Sequence, residues 1–268
     1  MAIPLKGKVV LITGASSGFG EDAVRLFSAE GASVILAARR IERMQAEVAR
    51  IQTAGGEAMA APVDLNNRAD IDNMIQSVIE NYGRIDILFN NAGFGRLDWF
   101  DQLESKRDIQ TQINVNLIGL IEVTHATLPH MLAQGSGHII NMSSVAGWIA
   151  APMYSVYAAS KFGVRGFTDA LRREVRLQGI HVSGIYPGPA ATEFGMHTGP
   201  SVLKNEFKVP AWTAMTSKYV AQCVVDLAKR PRRSLIIPWW FRPVLWAEAN
   251  FPGGVDWIVE QFFVKKYR

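Results

Sequence analysis

The feature that most constrains the fold of this chain is a strand pattern that runs directly into a glycine-rich turn and a helix. Val9–Thr13 is a β-branched, apolar run, which is typical of a strand buried on both faces of a parallel sheet. The turn that follows has the spacing Gly-x-x-x-Gly-x-Gly over Gly14–Gly20, and an amphipathic helix pattern begins at Gly18. Glycines at such a turn let the backbone approach a pyrophosphate, while the helix N-terminus supplies N–H donors. The segment therefore predicts a dinucleotide-binding turn.

Strand and helix patterns alternate along the chain, which is the signature of a doubly wound parallel sheet. We therefore predict an α/β fold of the Rossmann type, with seven parallel strands, helices on both faces of the sheet, and one domain over residues 1–268. The predicted strands are Val9–Thr13, Ser33–Ala38, Ala58–Val63, Ile85–Asn90, His138–Met142, His181–Tyr186 and Ser234–Ile237. The predicted helices are Gly18–Glu30, Arg40–Thr53, Arg68–Tyr82, Lys106–Gln134, Tyr154–Gln178 and Ser217–Ala228.

The glycine turn also offers an alternative function, because Gly14–Gly18 matches Gly-x-Ser-x-Gly, the nucleophile elbow of α/β-hydrolases. That elbow requires a later acidic residue and then a histidine, and it lies well inside the hydrolase sheet, not after the first strand. The chain has five histidines, and none of them stands in an evident catalytic context. The position of the turn therefore favours cofactor binding.

Tyr157 and Lys161 are four residues apart in a predicted helix, so both side chains lie on one face of that helix. A free tyrosine has a pKa of about 10, too high for efficient proton exchange near neutral pH. A fixed cation within a few ångströms favours the phenolate and lowers this pKa. The pair therefore predicts a general acid/base for an alcohol–carbonyl interconversion. Tyr154, a competing tyrosine in the same segment, has no lysine four residues later.

Further motifs occur in an order that resembles the short-chain dehydrogenase/reductase family in its compact, single-domain form. The match extends from about Leu5 to Ile237, and the extended branch of that family fits neither the glycine spacing nor the length. The motifs, in chain order, are Thr13-Gly14-x-x-x-Gly18-x-Gly20, Asp64-Leu65, Asn90-Asn91-Ala92-Gly93, Asn116-Leu117-Ile118-Gly119, Ser144, Tyr157, Lys161, Pro187-Gly188 and Thr192.

This resemblance implies that Asn116, Ser144, Tyr157 and Lys161 are the catalytic residues of an oxidoreductase. Tyr157 is expected to give a proton to the carbonyl oxygen in reduction and to take it back in oxidation. Lys161 is expected to lower the pKa of Tyr157 and to hold the nicotinamide ribose. Ser144 is expected to hydrogen-bond the substrate oxygen, and Asn116 to anchor a water that relays protons to Lys161. Ser143 competes with Ser144, but it lies one residue off the matching interval.

The end of the second predicted strand indicates which cofactor is bound. NAD-binding proteins of this fold usually carry an acidic residue there for the ribose 2′-hydroxyl, whereas a basic residue accommodates the 2′-phosphate of NADP. Ala38 stands at the acid position, and Arg39, whose guanidinium is a planar bidentate phosphate donor, comes next. The alternative is that Arg39 and Arg40 only begin a solvated helix. We predict NADP, with NADPH as its reduced form.

The predicted cofactor site combines the glycine turn with residues that follow later strands. Asp64 is expected to contact the adenine edge, and its alternative role is the N-cap of the following helix. The backbone of Asn91–Gly93 is expected to line the cofactor's path after the fourth strand. No metal site is predicted. The complete predicted set is Gly14, Ser16, Ser17, Gly18, Phe19, Gly20, Arg39, Asp64, Leu65, Asn91, Ala92, Gly93, Tyr157, Lys161, Pro187, Gly188 and Thr192.

Composition excludes several other classes of protein. Hydrophobic residues make up 49% of the chain and charged residues 19%, which excludes a disordered chain. The net charge of +4 would permit a nucleic-acid partner, but the basic residues are scattered in short groups, and we predict none. A single cysteine, Cys223, suits a reducing compartment, and neither a signal peptide nor a run of about 18 apolar residues is evident. We expect a cytoplasmic protein.

The substrate is less constrained than the chemistry. The segment between Pro189 and Trp212 is long for a connection and is expected to cover the pocket. Two other classes of function stay open: a cofactor-binding regulatory protein on the same fold, and a membrane-surface protein. Apolar residues in this segment and at other strand ends favour an apolar small-molecule ketone or secondary alcohol, namely Phe94, Trp99, Trp148, Met153, Phe194, Met196, Phe207 and Trp212.

We also expect a homodimer or homotetramer. The helices that carry Asn116 and Tyr157 have apolar residues beyond a single stripe, and members of the family resembled here commonly pair these helices with their symmetry mates. Some of the residues must simply face the sheet. The residues concerned are Leu120, Ile121, Val123, Leu128, Phe162, Val164, Phe167 and Leu171.

The chain departs from the compact family pattern in an aromatic-rich C-terminal extension over residues 238–268. Pro243 and Pro252–Gly254 predict breaks around two short helices, Val244–Asn250 and Val255–Arg268. Such a segment can lie in a bilayer interface as a peripheral membrane contact. We favour the alternative that the helices pack on their own or a neighbouring subunit, near the pocket mouth. The residues in question are Trp239, Trp240, Trp246, Trp257, Phe262, Phe263, Lys265, Lys266 and Arg268.

Overall fold

The computed structural model describes residues 2–191 and 214–268. Within these ranges the chain forms a seven-stranded sheet with the strand order β3-β2-β1-β4-β5-β6-β7, in which all neighbours are parallel. The predicted fold class is confirmed. The strands are β1 (Val9–Thr13), β2 (Ser33–Ala38), β3 (Ala58–Pro62), β4 (Ile87–Asn90), β5 (Gly137–Met142), β6 (Ile180–Pro187) and β7 (Ser234–Ile237).

Apart from α4, the helices between the strands begin and end within a few residues of the predicted bounds, and α3 shows how local capping signals determine such ends. For α3 the side chain of Asn67 accepts a hydrogen bond from the N–H of Ala69 at 3.0 Å, and Gly83 ends the helix with a φ of 72°. The helices are α1 (Gly18–Ala29), α2 (Ile41–Thr53), α3 (Arg68–Tyr82), α4 (Gly119–Gln134), α5 (Ser155–Val175) and α6 (Ser217–Lys229).

The core lies in two layers, one on each face of the sheet, because alternate strand residues point to opposite sides. Val10 and Ile12 of β1 pack with α1, α2 and α6, whereas Val9 and Leu11 pack with α3, α4 and α5. All four of these β1 residues are buried. Strands buried on both faces explain why β1 has a continuous apolar sequence and not an alternating one.

The strand order reverses next to β1, whose neighbours are β2 and β4. In open α/β sheets this switch point creates a crevice at the carboxyl ends of the strands, where ligands bind. The glycine turn follows β1 at this edge, and the loops that follow β4, β5 and β6 open at the same edge. The topology therefore brings the predicted site residues of distant sequence segments to one place.

The predicted helix Lys106–Gln134 is a continuous helical segment that is not α-helical throughout. It begins at Ser105 and contains two π-helical stretches, Ser105–Gln110 and Asn114–Ile118, on either side of one α-helical turn. The second stretch contains Asn116, the residue that the sequence marks as a poor helix former. Such π-turns often occur at functional sites, since they turn a side chain out of the regular helix pattern.

The C-terminal extension forms α7 (Phe241–Asn250) and α8 (Pro252–Val259), followed by a π-helical stretch (Glu260–Val264) and a last turn. The predicted breaks at Pro243 and Pro252–Gly254 are wrong. Both prolines lie in the first turn of a helix, where the backbone N–H has no intrahelical acceptor to lose. The break falls at Phe251, whose φ of −135° is not helical. In the described part of the chain, no helix is both long and apolar enough to cross a membrane.

The apolar residues predicted to pair subunits divide between the core and the surface. Leu120 and Val123 of α4 and Val164 and Leu171 of α5 are buried within this single chain, so they are not available to pair subunits. Phe162 remains exposed on α5. The homo-oligomer stays a prediction, with a smaller apolar surface than the sequence pattern indicates.

Candidate active site

The paired tyrosine and lysine are both buried on α5 at the carboxyl edge of the sheet. Lys161 Nζ lies 5.7 Å from the centroid of the Tyr157 ring, as one helical turn of separation requires. The ammonium donates a hydrogen bond to the carbonyl of Met142, at the end of β5, at 3.0 Å. Among the described residues this carbonyl is its one hydrogen-bond acceptor, so the chain itself leaves part of the ammonium's donor capacity unused.

Ser144 follows β5 directly and stands beside Tyr157. Its Oγ accepts a hydrogen bond from the N–H of Ala146 at 3.1 Å and donates to the carbonyl of Pro187 at 3.3 Å. The same hydroxyl is near enough to Tyr157 to favour its phenolate, which lowers the pKa of Tyr157 slightly against the effect of burial. Ser143, the competing serine, is buried and donates to the carbonyl of Lys161 at 3.0 Å. The structure therefore brings Ser144 to the reactive tyrosine and uses Ser143 to hold the helix.

Asn116 connects the loop after β4 to α5. Its Oδ1 accepts from the N–H of Phe94 at 2.9 Å, and its Nδ2 donates to the carbonyl of Phe94 at 2.8 Å and to Ser160 Oγ at 3.2 Å. Ser160 in turn donates to the carbonyl of Tyr157 at 2.7 Å. The amide thus fixes the backbone next to the site, a role that sequence reasoning missed. Ser160 was also missed, although it directly precedes Lys161.

Burial shifts the pKa of both members of the pair toward their neutral forms. It raises the pKa of Tyr157 above its ordinary value, against a smaller lowering by the hydrogen bond with Ser144, and it lowers the pKa of Lys161 to about 8. The direction for Tyr157 is opposite to the lowering expected from the sequence. The largest cause is burial, because loss of water destabilises the phenolate form. In this state Tyr157 holds its proton at neutral pH, as an acid requires.

The glycine turn after β1 is tightly fitted to the turn after β4. Gly14 has a φ of 67°, and a Cβ there would lie 2.8 Å from Ala92 Cα, so only glycine fits. Thr13 Oγ1 accepts from the N–H groups of Asn91 and Ala92 at 3.0 and 3.1 Å. Asn91 Nδ2 donates to the carbonyl of Thr13 at 3.0 Å. The hydroxyl of Thr13, which the family motif contains but our site set omitted, therefore connects the two turns.

The fit of a dinucleotide to this chain depends on a place for its pyrophosphate, and the N-terminus of α1 suits that group. Ser17 precedes the helix in an extended conformation, and its side chain does not cap the first N–H groups. Those donors, together with the helix dipole, favour a bound anion. Gly18 has a φ of 57°, so this turn also depends on a glycine. Phe19, a predicted cofactor residue, is half-buried and packs against the core.

An arginine that sequence reasoning did not assign contacts the glycine turn. Arg40 donates to Ser16 Oγ at 3.0 Å and to Ser17 Oγ at 2.7 Å. Arg39, the predicted contact to the 2′-phosphate, is exposed, and it has no hydrogen bond or ion pair with the described residues. The adjacent arginines Arg39-Arg40 were the sequence signal from which a second basic contact could have been predicted. The structure thus provides two guanidinium groups after β2, one free and one on the turn.

Asp64 and Leu65 follow β3. Asp64 Oδ1 accepts from the N–H and the side-chain amide of Asn66 at 3.0 and 2.8 Å. Asn67 caps α3, so the alternative that Asp64 is the N-cap is wrong. Leu65 packs against the second core layer beside Gly119 of α4. Asp64 is half-exposed, with its carboxylate oriented by the turn.

The end of β6 completes the edge on the other side. The N–H of Gly188 donates to the carbonyl of Ile237 at 2.7 Å, and the ring of Phe241 covers the place that a Cβ at Gly188 would occupy. Gly93 also lies close to a predicted catalytic residue, since a Cβ at Gly93 would be 3.1 Å from Asn116 Oδ1. Predicted residues that lie outside the described ranges are Thr192, Phe194, Met196, Phe207 and Trp212.

An apolar wall borders Tyr157. Leu97 and Ala146 pack against its ring, and Tyr154 meets it edge-on with centroids 6.1 Å apart. Burial raises the pKa of Tyr154 as well. Met153 is buried with a φ of 69°, a strained conformation for a side chain of this size, just before α5. Trp148, a predicted pocket residue, instead stacks under Arg165, whose guanidinium carbon lies 3.2 Å from its ring centroid.

Comparison with known proteins decides the family. The family model described as short chain dehydrogenase matches residues 8–202. The chain belongs to the short-chain dehydrogenase/reductase family. This short-chain dehydrogenase is 34% identical over 244 residues to an uncharacterized oxidoreductase of Staphylococcus saprophyticus, with 89% of this chain and 97% of the relative covered. The resemblance inferred from the motifs is confirmed, and the chain is an oxidoreductase by family.

Two further relatives of this short-chain dehydrogenase carry more specific names. The ketoacyl reductase HetN of a Nostoc species is 35% identical over 233 residues, covering 87% of this chain and 79% of the relative. A dehydrogenase/reductase SDR family protein 7-like of Anopheles gambiae is 34% identical over 267 residues, covering 96% and 83%. A crystal structure of a short-chain dehydrogenase/reductase from Burkholderia phymatum, in complex with NAD, has the same fold with a TM-score of 0.83. It shares 24% identity, over 94% of this chain and 96% of that one.

Proposed function

We propose that this short-chain dehydrogenase is an NADP(H)-dependent oxidoreductase that interconverts a carbonyl and a secondary alcohol on an apolar small molecule. The observation that carries the proposal is the convergence of Ser144, Tyr157 and Lys161 at the carboxyl edge of the sheet, beside a turn that suits a dinucleotide. A regulatory protein that only senses a cofactor would not need a buried lysine and tyrosine in this arrangement. The reducing conditions of the cytoplasm suit such an enzyme.

The side chains divide the reaction between them. When bound, the nicotinamide cofactor supplies the hydride in reduction and accepts it in oxidation. Ser144 would hydrogen-bond the substrate oxygen and polarise the carbonyl. Tyr157 would donate its proton to the same oxygen, since burial keeps it protonated at neutral pH and Ser144 stands beside it. The reverse reaction returns that proton to Tyr157.

Lys161 carries the cationic part of the site. Its ammonium has unused donors that suit ribose hydroxyls, and its charge opposes the burial effect on Tyr157 when the phenolate forms. Asn116 holds the loop of Phe94 next to this pair and is the proposed anchor for a proton-relaying water. These roles leave hydride chemistry to the cofactor and proton chemistry to the chain.

The NADP preference rests on the side chains that follow β2. Ala38 offers no carboxylate for a ribose 2′-hydroxyl, and Arg39 is exposed without a partner in the described structure. Guanidinium groups bind phosphate bidentately. The solved relative from Burkholderia phymatum is described with NAD, so its cofactor is the alternative that the experiment must separate.

The double variant Ala38→Asp/Arg39→Ala should reverse the preference. It introduces a carboxylate that repels the 2′-phosphate and removes the free guanidinium. We expect the ratio of NADPH to NADH affinity to fall roughly 10- to 100-fold, the effect of one charge-assisted contact of about 1.5–3 kcal/mol. Titration of both cofactors by nicotinamide fluorescence measures this without a substrate. Equal affinity of the unaltered enzyme for both cofactors would contradict the proposal.

Turnover itself needs a panel of ketones and secondary alcohols, assayed at the nicotinamide absorbance band with NADPH and with NADH. The name of the Nostoc relative adds a ketoacyl compound to this panel. We expect reduction of at least one apolar ketone, faster with NADPH. Cofactor binding without turnover of any panel member would favour the regulatory alternative.

A further inference from the structure

The C-terminal extension, residues 238–268, presents an unusual aromatic surface to solvent. Trp239 and Phe262 are 73% and 71% exposed, which is rare for such large apolar side chains in a soluble protein. Phe100, in the loop after β4, is also exposed. The exposed large apolar residues of the extension are Trp239, Trp240, Val244, Trp246, Phe251, Trp257, Ile258 and Phe262. We call this set the aromatic surface.

The extension packs on its own subunit only along a narrow stripe. Leu245 is the one buried residue of α7, and α8 buries none. In α8 and the stretch that follows, the half-buried residues Val255, Val259 and Phe263 recur every four residues and so face the protein. The packing that we favoured from the sequence therefore applies to this stripe, and the aromatic surface lies on the other side.

The two ends of the extension stand on opposite sides of the catalytic centre. At its start, Phe241 covers Gly188, next to Pro187, whose carbonyl accepts the hydrogen bond from Ser144. At its end, the guanidinium of Arg268 lies 5.1 Å from the ring centroid of Trp99 and 3.4 Å from a carboxylate oxygen of Asp101. That loop also contributes Leu97 to the wall around Tyr157. The extension that carries the aromatic surface therefore contacts the loops on both sides of Tyr157.

We propose that the aromatic surface docks the enzyme on an anionic lipid bilayer, so that an apolar substrate passes from the lipid to Tyr157 between the two ends of the extension. The docking rests on the exposed surface alone, and the substrate route also rests on the proposed function. Tryptophan and phenylalanine partition into the bilayer interface, where an apolar ring meets polar headgroups.

Charge and position favour a bilayer over a second copy of the chain. Arg242, Lys265 and Lys266 are exposed on the extension, and cations near an interface attract anionic headgroups. Glu248, Asp256 and Glu260 offset most of this charge, and Glu260 lies 3.8 Å from Lys265. Apolar contact therefore supplies most of the binding, and the dependence on salt should be modest. A second copy seated here would cover the route between Phe241 and Arg268, whereas a fluid bilayer leaves it open.

Vesicle flotation of the full-length protein tests the docking. The probes are vesicles of phosphatidylcholine alone and of phosphatidylcholine with phosphatidylglycerol. The variant Trp239→Ser/Trp246→Ser/Phe262→Ser removes three exposed rings of the aromatic surface. Leu177→Ser is the matched control, because Leu177 is 89% exposed and lies just before β6, at the opposite edge of the sheet from the site. Circular dichroism checks that both variants fold.

The expected result is that the unaltered protein and Leu177→Ser float with the mixed vesicles, while at least tenfold less of the triple variant does. Light scattering of the same samples without lipid measures the oligomeric state, and so tests whether the surface instead joins two copies of the chain. If the unaltered protein stays in the aqueous fraction, the proposal is overturned, and loss of the oligomeric state in the triple variant would then identify the surface as an interface between copies. Flotation requires no turnover, so a failure here is distinct from a failure of the proposed reaction.

Discussion

The two edges of the central sheet both bury charged side chains, but they satisfy them differently. At the amino edge, before β4, the carboxylate of Asp86 accepts hydrogen bonds from Lys8 at 2.9 Å, from Arg84 at 2.7 and 2.9 Å, and from the N–H of Val9 at 3.0 Å. At the carboxyl edge, the ammonium of Lys161 has the carbonyl of Met142 alone among the described residues. Among the described residues, the carboxylate of Asp86 has a full set of hydrogen-bond partners, and the ammonium of Lys161 does not.

The pKa values follow this difference. Burial by itself would raise the pKa of Asp86, but the hydrogen bonds from Arg84, Val9 and Lys8 outweigh it, and the pKa is lowered. Burial lowers the pKa of Lys161 to about 8, and no carboxylate in residues 2–191 or 214–268 forms an ion pair with it to compensate. A buried charge is therefore not in itself a sign of function. A buried charge whose partners are missing from the chain is such a sign, since a ligand can supply them.

The largest expected effect is on turnover at the carboxyl edge. Tyr157→Phe removes the proton donor and keeps the ring against Leu97 and Ala146. We expect turnover to fall by about 100-fold or more, the usual contribution of general acid catalysis, with little change in the free energy of unfolding. Steady-state kinetics with NADPH and the best ketone of the panel measures this effect.

Tyr154→Phe is the matched control for that variant, since Tyr154 is a neighbouring half-buried tyrosine on the same wall. It should keep most of the turnover. Unchanged kcat in Tyr157→Phe, or an equal loss in Tyr154→Phe, would contradict the assignment of Tyr157.

At the amino edge the effect should appear in stability and not in turnover. Asp86→Asn removes the charge that Lys8 and Arg84 contact, and we expect the free energy of unfolding to fall by about 2–3 kcal/mol at pH 7. Both cations are partly exposed, so water takes up their charge and limits the loss. Urea unfolding gives the stability, and kcat per folded molecule should match the unaltered enzyme. A large loss of kcat in Asp86→Asn would contradict the conclusion that the buried charge at the amino edge serves stability and not catalysis.

His138 allows a test by pH at the same edge. It is buried beside Ser183 at 2.8 Å, and burial lowers its pKa to about 3 from an ordinary 6.5. Below pH 6.5 the unfolded chain therefore binds a proton that the folded chain does not, and stability is lost as the pH falls toward 3. Between pH 6.5 and 5 this single group accounts for about 1.5 kcal/mol.

The variant His138→Gln isolates that contribution. Its free energy of unfolding should depend less on pH in this window than that of the unaltered protein, by about 1.5 kcal/mol. Urea unfolding at a series of pH values measures both proteins. Parallel stability curves for the two would show that His138 is accessible to protons in the folded state.

The smallest expected effect is a change in the free energy of unfolding whose sign is opposite to that of Asp86→Asn. Lys161→Met removes an incompletely paired buried cation and replaces it with an apolar side chain of similar length. We expect the free energy of unfolding to rise by about 1 kcal/mol at pH 7, because relief from burying the charge exceeds the lost hydrogen bond. Turnover should be strongly reduced.

The pH dependence of the same variant adds a check. The lowered pKa means that the stability of the unaltered protein rises from pH 8 toward 10, as folded Lys161 releases its proton before the unfolded chain does. Lys161→Met should lack this rise. A clear destabilisation of Lys161→Met at pH 7 would show that the cation is satisfied after all.

Local patterns in the sequence determined much of this molecule. The apolar run of β1, the glycines at 14, 18 and 20 and the spacing of Tyr157 and Lys161 act over a few residues, so strand, turn and helix face follow from them directly. Parallel strands separated by helices then require a doubly wound sheet, and the order of motifs indicated the family before any geometry was available.

Tertiary structure decided what depends on distance between remote segments. Arg40 reaches Ser16 and Ser17 only because β2 lies beside β1, and Asn116 holds Phe94 only because a π-helical stretch turns it toward that loop. The direction of the Tyr157 pKa shift was wrong in the sequence analysis for the same reason. Proximity to a lysine is local and visible in the sequence, whereas exclusion of water is a property of the whole packed site.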